Sequence, residues 1–367
     1  MKKNRILILL IISSLTLSGC WDERLLKNGR LVFSSAFDLT SDGDIHATAI
    51  IRDFKEGTPT NTEVEADAKT IRDVRMHMDR KISGNFEPSK NRIFLLGEDL
   101  ARNDVYDFLD IFYRDPNSSI SSKLAVAEGE AANILRTIQQ KNVLISEFLI
   151  ESISSGESFT GVPKVNMQSV CTLMFDEGKD FFVPLFKLKD EEVIMDGTAL
   201  FHKRAMSGTL SIPESTLMLV LMNKKAKIAR VVTKVDKGKK VNIENYITYN
   251  LVDPKTKMKL ISTTPGNIEV ELTMKTGVTI VEFPQDELAD KAKVKELEKS
   301  ITRHLEQDAE EVIRKVQEAN SDLLGIGREL IAFHPEVWQQ VDWEKEYPTI
   351  TIKPTIELKI IGNGIIN

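Results

Sequence analysis

The first residues whose types and spacing could support chemistry are Leu17-Ser18-Gly19-Cys20. An aliphatic residue and two small residues before a cysteine form a lipobox. The small side chains let a signal peptidase reach the bond before Cys20, and the cysteine thiol then takes a diacylglycerol group. The preceding residues fit this chemistry, because a cationic start, Met-Lys-Lys-Asn-Arg, is followed by an apolar run beginning at Ile6. We therefore predict a signal peptide over 1–19 and lipid attachment at Cys20, in preference to a plain signal peptide with a chance cysteine.

This processing has consequences for the mature chain. Cleavage before Cys20 would leave residues 20–367 and change the formal net charge from -6 to -9, because Lys2, Lys3 and Arg5 are lost. Two acyl chains give firm anchoring, since each buried methylene contributes about 0.8 kcal/mol. No later segment has the roughly 18 consecutive apolar residues that a membrane-spanning helix needs. The sequence therefore predicts an ectodomain tethered to the outer face of a cytoplasmic-type membrane.

The other reactive residue types form no recognised catalytic or metal-binding pattern. Two cysteines exclude a disulfide scaffold and a zinc site made of several thiolates, and Cys171, in an apolar segment, is predicted to be a buried, inert thiol. The five histidines show no pair at metal-ligand spacing, and His77 and His304 are predicted to lie on helix surfaces. No nucleophile elbow and no phosphate loop occur. We predict no catalytic residues, no metal and no cofactor, although two of the 55 acids could still converge as an acid–base pair.

Composition narrows the class of protein. Hydrophobic residues make up 41% and charged residues 28% of the chain, which is typical of a folded protein rather than a disordered one. The acidic balance argues against nucleic-acid binding, because neutralising phosphates requires a basic face. The length predicts two or three domains.

The elements of the first half alternate between strands and helices. Asp42-Gly43 predicts a hairpin turn, and a stripe from Ile71 to Ile82 predicts an amphipathic helix. A strand at 92–97 and a helix at about 98–113 follow. Residues 55–65 and 154–168 are interpreted as loops, and 169–175 as a strand.

The second half is richer in strands. Ser211 and Pro213 predict the start of a helix that ends at about Met222. Five strands are predicted over 226–283, with turns between them that include Asp253-Pro254 and Thr276-Gly277. A long helix over 286–320 is expected to cover a sheet rather than form a coiled coil. Pro354 in the last strand predicts an edge strand or a break between two strands.

Together these patterns predict an α+β fold, a multi-domain mixed α/β ectodomain. It would have two to three domains built on mixed or antiparallel sheets with covering helices, after a lipoprotein signal peptide. We assign 20–190 to an N-terminal α/β domain and 191–367 to a C-terminal α+β region, divisible into subdomains at about 191–265 and 266–367.

Six short motifs follow one another in a characteristic order. They are Cys20-Trp21-Asp22 with Arg24, Phe37-Asp38-Leu39, Asn91–Glu98, Arg114-Asp115-Pro116, Gly197–Phe201 with Gly208–Leu210, and Asp322–Gly327 followed by Pro335, Trp338 and Trp343. In this order the chain resembles the Ger(x)C family, the C-subunit lipoproteins of spore germinant receptors. It departs from the family pattern at Leu25, where Glu is usual, and at 67–70, where a glycine-rich stretch is usual.

The resemblance implies a non-enzymatic receptor subunit that is lipid-anchored on the outer face of the spore inner membrane. It implies two integral membrane partners, the A and B subunits, and a response to small nutrients such as amino acids or sugars. It also implies a fold of three mixed α/β domains. The functional residue that carries over is Cys20; Trp21 and Asp22 match the pattern without an assigned role.

Two other classes stay open from the residues alone. A ligand-binding lipoprotein of a transporter would show two lobes of alternating helices and parallel strands, which the consecutive strands over 226–283 disfavour. A membrane-tethered hydrolase is disfavoured by the lack of a catalytic motif.

Overall fold

The computed structural model describes residues 29–362, apart from positions 56, 142, 236, 237, 239 and 287. Two sheets with covering helices make up this part of the chain, and the predicted α+β fold is confirmed. Within the described residues, no helix combines the length and the apolar character needed to cross a membrane.

The first sheet contains nine strands. They are β1 (Gly29–Leu39), β2 (Ile45–Lys55), β3 (Thr58–Ala68), β4 (Asn85–Glu87), β5 (Ile93–Gly97), β6 (Lys123–Ala127), β7 (Phe182–Lys189), β8 (Glu192–His202) and β9 (Ala205–Ser211). The order is β3-β2-β1-β5-β6-β7-β8-β9, with β4 pairing beside β1. The central strands β1, β5, β6 and β7 are parallel, and the outer pairs are antiparallel.

Helices cover both faces of this sheet, so all five residues of β5 are buried. The helices are α1 (Ile71–Asp79), α2 (Glu98–Ala101), α3 (Val105–Arg114), α4 (Ala131–Gln140), α5 (Ile145–Ser158) and α6 (Met167–Met174). On one face Phe37, Phe94 and Phe112 pack together. On the other face, Leu135 of α4 and Leu149 of α5 belong to a separate apolar cluster.

The second sheet consists of β10 (Arg230–Lys234), β11 (Tyr246–Thr264), β12 (Asn267–Glu282) and β13 (Thr351–Gly362), in that order. Three longer helices and two short ones accompany it: α7 (Ile212–Leu221), α8 (Lys291–Glu318), α9 (Ile326–Phe333), α10 (Pro335–Trp338) and α11 (Trp343–Glu346). Helix α8 buries Ile301, Leu305 and Val312 in the same cluster as the sheet residues, which confirms a sheet-covering helix. Pro354 lies on β13, an edge strand, as predicted.

Several local predictions were wrong. Residues 58–68 form a strand rather than a loop, because the full length of β3 pairs with β2. Residues 167–174 form a helix rather than a strand, because Asn166 and Ser169 cap its first turn reciprocally. Helix α5 continues to Ser158, inside the predicted loop over 154–168. The predicted helix at 98–113 divides into α2 and α3.

Within the described residues of 226–283 there are three strands, rather than the five that were predicted. The expected turn at Asp253 is an irregularity inside β11, where the register with β12 shifts between Val252 and Lys255. Asp253 has a φ of 45°, which allows a bulge without ending the strand. Thr276 and Gly277, also expected to form a turn, lie within β12.

The first sheet continues across the predicted domain boundary at 190/191. That boundary falls in the turn between β7 and β8, which pair from Lys189 with Glu192 to Phe182 with Leu200. The second sheet begins only at Arg230. The division into domains stays a prediction.

Candidate functional site

The lipobox residues Leu17, Ser18, Gly19 and Cys20 lie outside the described residues. Strand β1 begins at Gly29, nine residues after Cys20. A fully extended chain of that length spans at most about 30 Å. A lipid on Cys20 would therefore hold the start of β1 within about 30 Å of the membrane.

A cleft of about 650 Å³ opens between helix α7, strand β10 and helix α8. Its apolar lining comes from Leu217 of α7 and from Leu305 and Val312 of α8, while Phe159 and Ile228 form an exposed rim. Single exposed apolar residues are common, but here they border a concave surface. The cleft therefore has the shape and composition of a binding site.

Strand β10 forms one wall of this cleft and is an edge strand of the second sheet. The carbonyl of Ala229 accepts a hydrogen bond from the N–H of Leu251 (2.8 Å), and the N–H of Val235 donates to Asn245 (2.9 Å). Backbone groups of alternate residues point to the same side of an antiparallel strand. The backbone groups of Arg230, Val232 and Lys234 therefore point away from β11.

The start of α7 fixes a second wall. The backbone N–H and the hydroxyl of Ser211 both donate to Glu214 at 2.8 Å, and Lys315 of α8 forms an ion pair with the same carboxylate. Burial opposes ionisation of Glu214, but the bonds from Lys315 and Ser211 outweigh it and hold the pKa of Glu214 below its ordinary value. The Glu214 charge is thus already matched within the protein.

Asp308 and Glu311 of α8 supply further acidic groups in the cleft. Burial raises the pKa of Asp308; His304 opposes that shift and Glu311 adds to it. Within the described residues, no ion pair joins Asp308 to a cation, while Glu311 has Lys315 at 4.0 Å. Arg230 lies on the opposite wall, where its Nε donates to Asn250 (3.1 Å). The α8 wall is therefore acidic.

The rim at Phe159 and Ile228 depends on Thr160. The Thr160 hydroxyl donates to the Ile228 carbonyl (2.5 Å) and accepts the N–H of Ala226 (3.0 Å). Thr160 has a φ of 64°, a strained value for a β-branched residue, and is almost fully buried. Two bonds to the segment leading into β10 thus help to hold this conformation.

A second polar site joins residues 176–180, which precede strand β7, to residues 322–328 around the start of helix α9. The Asp322 carboxylate is buried and accepts N–H bonds from Gly325 (2.8 Å), Ile326 (3.0 Å) and Gly327 (2.8 Å). Burial raises the pKa of Asp322 to about 6, against the effect of these three bonds. Asp180 reaches the same point, since its carboxylate accepts the N–H of Asp322 (2.9 Å).

Close backbone contact and an ion pair also hold residues 176–180 against residues 322–328. A Cβ on Gly178 would lie 2.5 Å from the nitrogen of Arg328 and 2.6 Å from the carbonyl carbon of Gly327. Asp176 accepts a bond from the Nε of Arg328 at 2.7 Å. Residues 176–180 and 322–328 therefore fit together only because Gly178 has no side chain.

Two of the sequence motifs meet at Asp38. The Asp38 carboxylate accepts the N–H groups of Ala131 (2.7 Å) and Ala132 (3.0 Å) at the start of α4. A Cβ on Gly97, from the next motif, would collide with that carboxylate. These motif residues position elements rather than reactive groups.

The remaining predicted residues lie apart from the cleft or at its margin. Cys171, predicted to be buried, is half-buried, and burial raises the pKa of its thiol. His77 and His304 lie half-buried on helices, as expected for helix-surface positions. Among the residues that the structure describes, no three His, Cys, Asp or Glu side chains lie together as a metal ion would require.

Sequence reasoning missed the cleft. Leu305 and Val312 belong to the predicted apolar stripe of the long helix, and Ser211 and Glu214 belong to a readable helix start. Neither signal indicates that strand β10 lies beside these helices with a free edge. Asp322 lies in a motif that the sequence did single out, although its burial was not predicted.

Comparison with known proteins places both halves of the chain in one family. A family model described as the spore germination protein N-terminal domain matches residues 22–188, and one described as spore germination B3/GerAC like, C-terminal, matches 196–364. Similar proteins include spore germination protein GerQC of Bacillus cereus, 23% identical with 98% of each chain covered. Spore germination protein KC of Bacillus subtilis (strain 168) is 24% identical, with 100% of this chain and 97% of the relative covered.

A solved structure shows the same fold. The crystal structure of the GerBC protein matches with a TM-score of 0.58 and 22% identity, covering 89% of this chain and 96% of the other.

Proposed function

Because the chain belongs to the Ger(x)C family of spore germination proteins, we propose that it is the lipid-anchored subunit of a nutrient germinant receptor. It acts through contacts with two integral membrane subunits, A and B. The family is one of spore germination proteins rather than enzymes. The observation that carries the proposal is that two family models together match nearly all of the chain after the lipobox.

The proposed location is the outer face of the spore inner membrane. The lipobox supports it, because a diacylglycerol on Cys20 would be attached only nine residues before β1. Signal-directed export supports the outward face. Anchoring would keep the ectodomain close to integral membrane partners and raise their effective concentration.

Membrane fractionation tests the anchor. Cys20→Ala removes the thiol that would carry the lipid, so the variant should leave the membrane fraction. Cys171→Ala is the matched control and should stay with the membrane, because Cys171 packs beside the core of the first sheet. Retention of Cys20→Ala in membranes that lack the partner subunits would contradict the anchor.

Recovery of partners tests the receptor assignment. A pull-down of the full-length protein from spore membranes should recover two polytopic proteins. Recovery of transporter ATPase subunits instead would refute the receptor proposal and support a ligand-binding lipoprotein.

A further inference from the structure

We propose that the cleft between α7, β10 and α8 binds an extended segment of a partner polypeptide. The segment would pair with the free edge of β10 and place a basic side chain against Asp308 and Glu311. The inference deepens the proposed function, on which it rests for the identity of the partner as an integral membrane subunit.

The free edge supplies the first argument. The backbone groups of Arg230, Val232 and Lys234 point away from β11, and within the described residues no hydrogen bond ends on them. An unpaired edge is a template for another strand, because its N–H and C=O groups already have the correct spacing. Five residues of strand offer about 17 Å of edge.

The cleft lies along this edge rather than over one face of the strand. Arg230, Val231 and Val232 are consecutive residues whose side chains alternate between the two faces of β10, yet all three line the cleft. A surface that side chains from both faces of a strand can reach must lie along the edge of that strand. A segment that pairs there would turn alternate side chains toward α8.

The residues that line the cleft indicate which side chains the bound segment would carry. Leu217, Leu305 and Val312 would accept an apolar side chain. Asp308 and Glu311 lie nearly one helical turn apart on the same wall, so a basic side chain two residues further along would meet them. The Glu214 charge is not available, because Lys315 forms a close, hydrogen-bonded ion pair with it, whereas the same lysine approaches Glu311 only to 4.0 Å. The cleft volume of about 650 Å³ lies within the usual range for a bound ligand, about 300–1,000 Å³.

A second copy of this chain fits poorly at the same edge. In an antiparallel pair of β10 strands centred on Val232, Arg230 of each copy would lie opposite Lys234 of the other. Like charges directly opposite each other destabilise a strand pair. The observed side chains therefore disfavour self-association and leave the edge open to a different polypeptide.

Photocrosslinking in spores tests this arrangement. In the full-length protein, a photoreactive amino acid replaces Val232, a residue that is 60% exposed. The adducts are mapped by mass spectrometry. The control replaces Ile261, which is 51% exposed on β11 and does not line the cleft. The expected adduct joins position 232 to a segment with alternating apolar residues and a Lys or Arg, in an integral membrane subunit. No adduct, an adduct to lipid or to a second copy, or the same adduct from position 261 would overturn the inference.

The charge requirement is tested in the same assay. Asp308→Lys should lower the adduct yield at position 232 by at least tenfold, and Asp308→Asn, which keeps the side-chain shape, by several-fold. Glu310→Lys is the matched control, since Glu310 is exposed on the same helix and does not line the cleft. Equal yields from all three variants would overturn the charge argument, and the Asn variant decides the matter if the Lys variant does not fold.

The two proposals fail in different ways. If the wild-type protein recovers two polytopic subunits and position 232 gives no adduct, the receptor proposal stands and the cleft inference fails. A charge-dependent adduct to an extended segment of some other identified protein would support the cleft and overturn the choice of partner.

Discussion

Replacing the buried carboxyl group of Asp322 by an amide should remove a specific pH dependence of stability. In Asp322→Asn the Oδ1 atom can still accept the N–H bonds of Gly325 and Ile326. The new NH2 group would face the N–H of Gly327, which now bonds to Oδ2 at 2.8 Å. One buried donor then loses its acceptor, at a cost of about 1–3 kcal/mol that does not depend on pH.

The ionisation of Asp322 adds a cost that does depend on pH. Burial raises the pKa from 3.8 to about 6 in the folded protein. A raised acid pKa means that the folded state holds the proton more tightly, so the stabilisation is complete below pH 3.8 and is lost as pH rises through 6. Two pKa units correspond to about 3 kcal/mol. Part of this is already lost at pH 4, so the wild-type protein should lose about 2.4 kcal/mol from this group between pH 4 and pH 7, and Asp322→Asn should not.

Urea unfolding at pH 4, 5, 6 and 7, followed by tryptophan fluorescence, measures this difference. Carboxyl groups whose pKa values are unaffected by the substitution contribute equally to both proteins and cancel when the two free energies of unfolding are subtracted. Asp176→Asn is the control, because its difference from the wild-type protein should stay nearly constant between pH 4 and pH 7. Burial of Asp176 is outweighed by the bond from Arg328, which holds the pKa of Asp176 below 3.8. Its contribution is therefore present above pH 3.8 and lost as pH falls below that value.

The stability advantage of the wild-type protein over Asp322→Asn should shrink by about 2.4 kcal/mol as pH rises from 4 to 7. A difference that stays constant over that range would show that Asp322 has the same pKa in the folded and unfolded protein. A difference that grows with pH would show that the three N–H bonds outweigh burial.

Three further outcomes follow from the structure. Gly178→Ala should lower the free energy of unfolding by about 1–3 kcal/mol, since the new Cβ meets backbone atoms of Gly327 and Arg328; an unchanged urea midpoint would contradict that contact. Thr160→Val should cost about 1–3 kcal/mol, because two hydroxyl bonds are lost while the shape is kept, and Thr160→Ser should cost clearly less; equal midpoints for the two variants would argue against these bonds. Cys171 should react several-fold more slowly with an alkylating reagent at pH 8 than free cysteine does, because burial raises the pKa of its thiol, and a free-cysteine rate would refute this.

The sequence predicted an element correctly where that element depends on residues close together in the chain. The start of α7 at Ser211 and Pro213 could be predicted because a helix cap uses groups only three residues apart. The long stripe of α8 could be predicted because its period is that of a helix. The α+β class followed from such elements.

Two predictions failed for different reasons, one because a distant strand decided the outcome and one because a local helix cap was overlooked. Thr58–Ala68 is polar and contains Pro59, yet it forms a strand because β2 offers a full-length partner. Met167–Met174 could be read as a strand from its apolar residues, but the cap formed by Asn166 selects a helix. An apolar run of this length does not distinguish the two by periodicity alone.

The sequence by itself determined the anchor prediction at Cys20, the class of the fold and the order of motifs that identified the family. These features depend on residues close together in the chain, so their physical basis is local. The tertiary structure alone decided that, among the described residues, the edge of β10 lies unpaired beside Asp308, and that Asp322 is buried against Asp180, 142 residues away. An unpaired edge depends on which strands lie next to each other, and a shifted pKa depends on which residues exclude water from the group. Both are decided only when distant segments of the chain pack together.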